Sequence, residues 1–324
     1  MHRAASADDP HALIVAGPTA SGKSALALAL AERLNGTVIN ADAMQCYREL
    51  RILTARPTPE DEARVPHALY GARAAADPGS AAWWRDAALA AMAEARCAGR
   101  LPILTGGTGL YFTSLTEGIA AIPDPGPQAR EEARRLLKEI GPAALHTRLA
   151  DADPETGARL RPSDSQRIAR AWELWRGTGR GLAFWQSQAT VPAPWRFSAV
   201  LLDPPRADLR AAIASRAAAM LRGGAIEEVR ALLALDPDPA LPLMRAHGVP
   251  ELSAYLRGEV TLEEAGRRIE LVTGQYTKRQ ATWFRHHVLA APPHAHTIHA
   301  RMSDGEQFSE RNNPQLWEFI RSLT

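Results

Sequence analysis

Hydrophobic and polar positions follow two rhythms in the first hundred residues. Ala12 to Ala16, centred on Leu13-Ile14-Val15, is a short unbroken apolar run of the kind that makes a fully buried strand. A glycine-rich turn follows. Ser24 to Leu34 then carries helical spacing, closed by Gly36. Thr37 to Ala41 predicts a second strand ending at Asp42, and Leu101 to Thr105 a third, running into Gly106-Gly107-Thr108. Between them, Ser80 to Ala98 reads as a helix with Trp84, Ala88, Ala91 and Ala95 on one stripe. Strand, helix and strand in alternation imply a parallel sheet with crossover helices.

The rhythm then changes. From about Ile122 to Pro194 no strand pattern is present, only short helices broken by Pro125, Pro127, Pro142, Pro154 and Pro162. A strand pattern returns at Ala199 to Leu202, followed by long helices at about Asp208 to Leu221 and Leu262 to Val288. Pro292-Pro293 is expected to end the compact fold, Met302 to Pro314 to be mobile, and Leu316 to Leu323 to form a short helix. The expected fold class is therefore α/β, a P-loop NTPase-like core with a parallel sheet and an inserted all-helical domain. Residues 11–121 would open the core, 122–195 form the insertion, 196–291 complete the core with basic helices, and 292–324 form a tail.

Composition narrows the function classes. With 46% apolar and 23% charged residues over 324 positions, the chain can build a sizeable core. Its formal net charge of +2 excludes a histone-like polycation and leaves room for a local basic surface. Of 38 basic residues only Lys23, Lys138 and Lys278 are lysines, which marks those three positions in an arginine-rich background. Two cysteines, Cys46 and Cys97, without a CxxC pair, support neither a disulfide scaffold nor a thiolate metal site. The polar stretch Met1 to Pro10 lacks a signal-peptide apolar region, and no apolar run reaches the ~20 residues of a membrane span. A cytoplasmic, membrane-free protein acting as a monomer is the expectation.

Gly17-Pro18-Thr19-Ala20-Ser21-Gly22-Lys23-Ser24 fits GxxxxGK[ST] and lies between a predicted strand and helix, the context that motif requires. Glycines let backbone N–H groups curl around phosphate oxygens, and the helix N-terminus adds its positive dipole end. Lys23 supplies a point charge to the terminal phosphates, and Ser24 offers a hydroxyl to Mg²⁺. The motif specifies a di- or triphosphate without specifying phosphoryl transfer, because a diphosphate is also a leaving group. A kinase would need a metal-holding carboxylate, for which Asp203 is the candidate. Asp203 also suits a cap on the turn before Pro204-Pro205.

Asp42 ends the second strand at the edge where open α/β sheets bind ligands. A carboxylate there can accept a proton from a nucleophile, and it also suits a plain turn. Gln45, three residues on, carries a donor and an acceptor that match a base edge. Thr108 points to the same edge after Gly106-Gly107, in a run that would serve equally as a tight turn.

These residues fall into an ordered set: Gly17 to Ser24, Asp42-x-x-Gln45-x-Tyr47, Thr54-Ala55-Arg56-Pro57, Pro66-His67, Gly106 to Tyr111, Gln166-Arg167 and Lys278-Arg279-Gln280-x-Thr282-Trp283. From about Leu13 to Arg285 the set resembles the bacterial tRNA dimethylallyltransferases. The resemblance implies transfer of a dimethylallyl group from dimethylallyl diphosphate to the exocyclic amine of adenine 37, beside the anticodon, in tRNAs reading codons that begin with U. It implies Asp42 as general base, with Lys23, Ser24, the loop amides and Mg²⁺ at the departing diphosphate, and Thr108 positioning the reacting groups. It also implies contacts to the tRNA anticodon stem-loop from Asp42, Ala43, Met44, Gln45 and Thr108. Further contacts are implied from Arg130, Gln166, Arg167, Ile168, Ala169, Arg170, Arg245, Lys278 and Arg279. The adenine must leave its loop stack, which costs a few kcal/mol.

The charge pattern is compatible with that partner. Ala265 to His287 carries five basic residues and one acidic, a net of +4 against +2 for the whole chain. Such a helix face can also be merely solvated, with Trp283 and Phe284 in the core. Arg206 and Arg216 are further candidate phosphate partners, while His294, His296 and His299 lack the companions a metal site needs. The chain departs from the family pattern at Ala43, near Leu53, at Val249-Pro250, at Gly274 and at Ser165. None of these touches Asp42, Lys23 or Thr108, so the changes bear on RNA affinity rather than chemistry. Rival readings are prenylation of free adenine nucleotides, an ATP-dependent small-molecule kinase and a non-catalytic RNA-binding protein. The helical insertion and basic helix argue against the first.

Overall fold

The computed structural model describes residues 9–303 and 307–323. In chain order, β1 (His11–Ala16), α1 (Lys23–Arg33), β2 (Gly36–Asn40), α2 (Pro59–Arg64), β3 (His67–Ala68), α3 (Ala81–Cys97), β4 (Leu101–Gly106) and α4 (Gly109–Thr116) come first. Helices α5 (Pro127–Ala152), α6 (Pro154–Arg159), α7 (Ser165–Thr178) and α8 (Leu182–Gln186) follow. The chain then runs through β5 (Arg196–Leu202), α9 (Arg206–Arg222), α10 (Ala225–Leu233), α11 (Val249–Leu256) and α12 (Leu262–His286), and ends with β6 (Ala295–Ile298) and α13 (Pro314–Arg321).

Two compact units divide the chain. One runs through Thr116 and resumes at Pro192, and the other is Glu117–Val191. The first holds an all-parallel sheet in the order β3-β2-β4-β1-β5-β6. Strand β1 shows why the sheet is covered on both sides. Ala12, Ile14 and Ala16 face a cluster with Trp84, Met92, Phe112 and Phe284, while Leu13 and Val15 face Leu26, Leu30, Trp317 and Ile320. A third cluster joins α9 to α12 with the turn around Leu50 and Leu53. Because every strand is parallel, all the β-to-α turns open on one edge. Gly17–Gly22, Asp42, Gly106–Thr108 and Asp203 therefore emerge side by side.

The structure differs from the sequence expectation in three places. Helix α1 starts at Lys23 and ends at Arg33, with Leu34 as its C-cap; Asn35, with φ 49, makes the left-handed turn, and Gly36 opens β2 instead of closing the helix. In the second unit the break expected at Pro142 is present, since α5 is two helical runs meeting at a kink where Gly141 (φ 75) is non-helical, just ahead of Pro142. The chain does not leave the fold at Pro292-Pro293. Strand β6 pairs with β5, and α13 buries Leu316, Trp317, Phe319 and Ile320 against the α1 side of the sheet. The apolar signal of β6 is only four residues long and interrupted by His296, which is why periodicity misses it. Mobility was expected over Met302 to Pro314, yet Met302 is 3% exposed; residues 304–306 of that stretch lie outside the described residues.

The second unit is helical. Helices α5 and α7 pack through Leu136, Leu145, Leu149, Ile168 and Ala171. Asp164 caps α7 by accepting from Arg167 N, and Gly179 (φ 69) ends it.

Candidate active site

The turn after β1 is a cradle built by close packing. Gly22 holds φ 93 as the residue before α1, and a side chain there would meet the Met302 carbonyl. The Pro18 carbonyl accepts from Ser21 N at 3.2 Å and from Lys23 Nζ at 3.4 Å. Ser21 Oγ is buried beside Gly17 without a hydrogen-bond partner, a donor suited to an anion. Ser24 is exposed in the first turn of α1 and lines a cavity of about 700 Å³ that also touches Arg56 and Tyr70.

Opposite the cradle, Asp42 is fixed from both sides. Asn40 Oδ1 accepts from Asp42 N at 2.8 Å, and Asp42 Oδ1 accepts from Met44 N at 3.0 Å, which turns the chain into the short helical turn Met44–Cys46. Thr108 ties this turn to β4: its N–H donates to the Ala41 carbonyl at 3.2 Å, and its hydroxyl oxygen accepts from Ala43 N at 3.0 Å. Thr108 thus positions the Asp42 turn through the backbone.

Electrostatics converge on the Asp42 carboxylate. Burial pushes the Lys23 ammonium down to about 8, with Asp42 opposing that shift and Arg216 reinforcing it. Arg216, from α9, is also held below its ordinary value by burial, again with Asp42 opposing. Burial raises the Tyr276 hydroxyl to about 12, and the negative field of Asp42 adds to this. His247, edge-to-face with Tyr276 at 5.1 Å, is lowered by burial while Glu251 and Asp42 oppose. Two cations, Lys23 and Arg216, and one carboxylate, Asp42, thus share one field.

Gln280 joins the two halves. From α12 its Oε1 accepts from Thr19 N at 2.8 Å and Thr19 Oγ1 at 3.0 Å, while its Nε2 donates to the Gly107 carbonyl at 3.0 Å. Periodicity offers no sign of this role; the only signal is a Gln amid the basic positions of a helix. Trp283, one turn on, lies against Gly109, where a β-carbon would come within 2.4 Å of its ring.

Other sequence-predicted residues fall in different surroundings. Both Gln45 amide hydrogens are used, donating to the Thr54 and Ala55 carbonyls at 2.8 and 3.0 Å, so Gln45 holds the Thr54–Pro57 turn in place of presenting its donor to a base. Glu228 completes that support by accepting from the backbone N–H groups of Arg51, Ile52 and Leu53. Asp203 pairs with Arg285 at 3.5 Å and lies 3.9 Å from His299, which leaves it poorly disposed to hold a metal. Lys278 and Arg279 are exposed on α12. Lys278 lines a groove of about 540 Å³ between α9 and α12, with Arg206, Arg210, Arg267 and Arg285. Arg245 is exposed and donates to the Ala240 carbonyl. Within the helical unit, Gln166 and Arg167 are exposed, Ala169 and Arg170 half-buried, and Ile168 fully buried, so Ile168 packs the unit instead of meeting a ligand. Arg130 pairs with Asp124 at 2.6 Å. Among the described residues no cluster of His, Cys, Asp or Glu could hold a metal ion, and no helix is long and apolar enough to cross a membrane.

Residues 45–287 match the family model described as IPP transferase, and residues 10–70 match one described as isopentenyl transferase. The chain belongs to the IPP transferase family. Two relatives, both named tRNA dimethylallyltransferase, are 61% and 60% identical. That of Granulibacter bethesdensis aligns over 97% of this chain and 99% of its own. That of Gluconacetobacter diazotrophicus aligns over 99% and 97%. Among solved structures, the tRNA isopentenylpyrophosphate transferase of Bacillus halodurans is similar at TM-score 0.66 and 30% identity, over 96% of this chain and 97% of that one. A eukaryotic dimethylallyltransferase described as acting on tRNA shares the fold at TM-score 0.74 and 22% identity, over 97% and 80%.

Two departures from the IPP transferase pattern have local reasons. Pro250 sits in the first turn of α11, where a missing N–H costs nothing, and Val249 fills the core. Gly274 faces open space beside the α9–α12 groove, so the absence of a side chain there leaves the packing undisturbed.

Proposed function

We propose that this chain transfers a dimethylallyl group from dimethylallyl diphosphate to N6 of adenine 37 in tRNAs reading codons that begin with U, giving N6-(dimethylallyl)adenosine. The observation that carries the reading is the shared field of Asp42, Lys23 and Arg216 at the edge holding the Gly17–Ser24 cradle. An adenine amine is a weak nucleophile, since its lone pair is delocalised into the ring. It needs alignment, a proton acceptor and an electrophile that partly ionises. In the proposed step the C1–O bond of the diphosphate breaks as the N6–C1 bond forms. The N6 proton passes to the Asp42 carboxylate. Charge developing on the departing diphosphate is met by the loop amides, Lys23 and Arg216, and Thr108 keeps the Asp42 turn in register.

Mg²⁺ fits this site as an ion carried in by the diphosphate, because it keeps waters and phosphate oxygens as ligands and needs few from protein. Ser24 is the residue that would touch it, and the ion would neutralise phosphate charge. The tRNA anticodon stem-loop would meet the Asp42–Gln45 turn and the exposed Lys278 and Arg279, with Arg245 and, from the helical unit, Arg130, Gln166, Arg167, Ala169 and Arg170 adding contacts.

Supplying radiolabelled dimethylallyl diphosphate with tRNA should place label in the RNA, at one adenosine, by digestion and mass spectrometry. Label arriving instead from the γ-phosphate of ATP on a small molecule would overturn the reading. Label on free AMP with none on tRNA would favour the nucleotide prenyltransferase.

A further inference from the structure

The segment between β6 and α13, expected from its composition to be a loose tail, touches the phosphate cradle directly. Arg301 Nε donates to the Ala20 carbonyl at 3.0 Å, and Met302 N donates to the Ser21 carbonyl at 3.0 Å. The Met302 carbonyl approaches Gly22 so closely that a β-carbon there would lie 1.6 Å from it. Met302 is itself anchored, buried in the cluster that contains Leu26 and Leu30 of α1 and Trp317 and Ile320 of α13.

In a trans peptide the C=O and the following N–H point in opposite directions. Holding the Ser21 carbonyl outward therefore aims the Gly22 N–H toward the inside of the turn, and holding the Ala20 carbonyl does the same for Ser21 N–H. The N–H of Ser21 already points inward, to the Pro18 carbonyl. Two donors on consecutive carbonyls fix two consecutive peptide planes of an eight-residue loop whose use depends on where its N–H groups point. Ala20, with φ 68, adopts a left-handed conformation that a non-glycine residue keeps only when its surroundings hold it.

We propose that Arg301 and Met302 form a strap that pre-organises the phosphate loop, making the C-terminal segment a positioning element of the diphosphate site. The inference rests on the reading of Gly17 to Ser24 as the diphosphate cradle. It assigns Arg301 a role through the loop backbone, with no contact to substrate.

Arg301→Ala in the full chain tests it with three measurements. The expected results are a roughly tenfold weaker binding of inorganic pyrophosphate by calorimetry, a KM for dimethylallyl diphosphate raised by about the same factor with the KM for tRNA unchanged, and faster amide hydrogen exchange confined to the peptide carrying Gly17 to Ser24, the order of magnitude being that of one lost hydrogen bond to backbone. Unchanged loop exchange together with unchanged pyrophosphate affinity overturns the strap. So does exchange that rises equally in β4 and the loop, since that marks general destabilisation. If the unmodified protein binds no pyrophosphate while loop exchange still rises locally in the variant, the functional reading fails and the strap stands.

Discussion

Gln280 accepts two hydrogen bonds from Thr19 through one oxygen, from its N–H at 2.8 Å and its hydroxyl at 3.0 Å. The same amide donates to the Gly107 carbonyl at 3.0 Å, so one buried side chain sets the distance between the phosphate loop and the β4 turn that carries Thr108. Replacing it with Leu strands three polar groups, each at about 1–3 kcal/mol when left unpaired. Gln280→Leu is expected to raise the KM for dimethylallyl diphosphate at least about tenfold, as steady-state kinetics would read. Gln280→Glu keeps the acceptors but adds negative charge beside the loop, and pyrophosphate affinity should fall further than in the Leu variant. Equal affinity in all three proteins would deny the bridge any part in binding.

Asp42→Asn separates charge from geometry. Asn retains an oxygen to accept from Met44 N, so the turn should persist, as an unchanged melting temperature would show. Losing a general base typically costs about 10²–10⁴ in rate. The expected outcome is a loss of kcat in that range with tRNA binding retained. Unchanged prenylation would remove Asp42 from its assigned role.

Lys23 predicts a pH dependence. Its ammonium titrates at about 8 against an ordinary 10.5, chiefly because burial disfavours charge. As pH rises through about 8 the folded protein loses this cation, so pyrophosphate affinity should fall across that point. Stability moves the other way. Between about 8 and 10.5 the unfolded chain still holds the proton that the folded chain has released, so this group makes stability rise with pH over that window. Since Asp42 opposes the shift, Asp42→Asn should move the alkaline fall in affinity to lower pH. Calorimetric titration of both proteins from pH 7 to pH 10 checks the order, and a midpoint that does not move would break the coupling between the two residues.

Much of the sheet and most of the phosphate edge were legible because they rest on local pattern. Buried parallel strands read as continuous apolar runs, and GxxxxGK[ST] is a contiguous motif. What stayed hidden depends on long-range meetings. Gln280 reaches Thr19 across 261 positions, and Arg301 reaches Ala20 across 281. Gln45 looked suited to a base edge because its type is ambiguous, and only the nearby Thr54 and Ala55 carbonyls decide its use. Strand β6 gives no periodic signal because it has only four residues and one of its inward positions is His296, stacked on Phe319, although pairing with β5 gives it a place.

Glycines at the β4 turn separate packing from function. A β-carbon at Gly106 would lie 2.1 Å from the carbonyl carbon and oxygen of Ala41, backbone that cannot move without shifting Asp42. Gly106→Ala is expected to cost at least about 2 kcal/mol and to abolish transfer, since overpacking of this kind costs ~1–3 kcal/mol even where side chains can yield. At Gly107 the obstructing atom is Gln280 Nε2, the far end of a flexible side chain. Gly107→Ala should therefore leave the denaturation midpoint closer to that of the parent while still breaking the Gln280 bridge and raising the KM for dimethylallyl diphosphate. Chemical denaturation and kinetics on both variants would reveal the split, and equal destabilisation would contradict it.

Lys278 and Arg279 supply the RNA prediction. Both are exposed on α12, and Arg279 lies over the Tyr276 ring at 5.5 Å, which keeps its guanidinium beside the Asp42 end of the helix. If they contact phosphates of a single-stranded loop, each releases about 0.7 counterion on binding. The double variant Lys278→Ala, Arg279→Ala should bind the anticodon stem-loop at least about tenfold more weakly at moderate salt. The slope of log affinity against log salt should fall by about 1.4, the sum for two such contacts. The KM for dimethylallyl diphosphate should not change, because neither side chain touches the cradle. A drop in affinity with an unaltered salt slope would mean that these cations act through helix packing, and the basic face would then have to be carried by Arg206, Arg210, Arg267 and Arg285 along the α9–α12 groove.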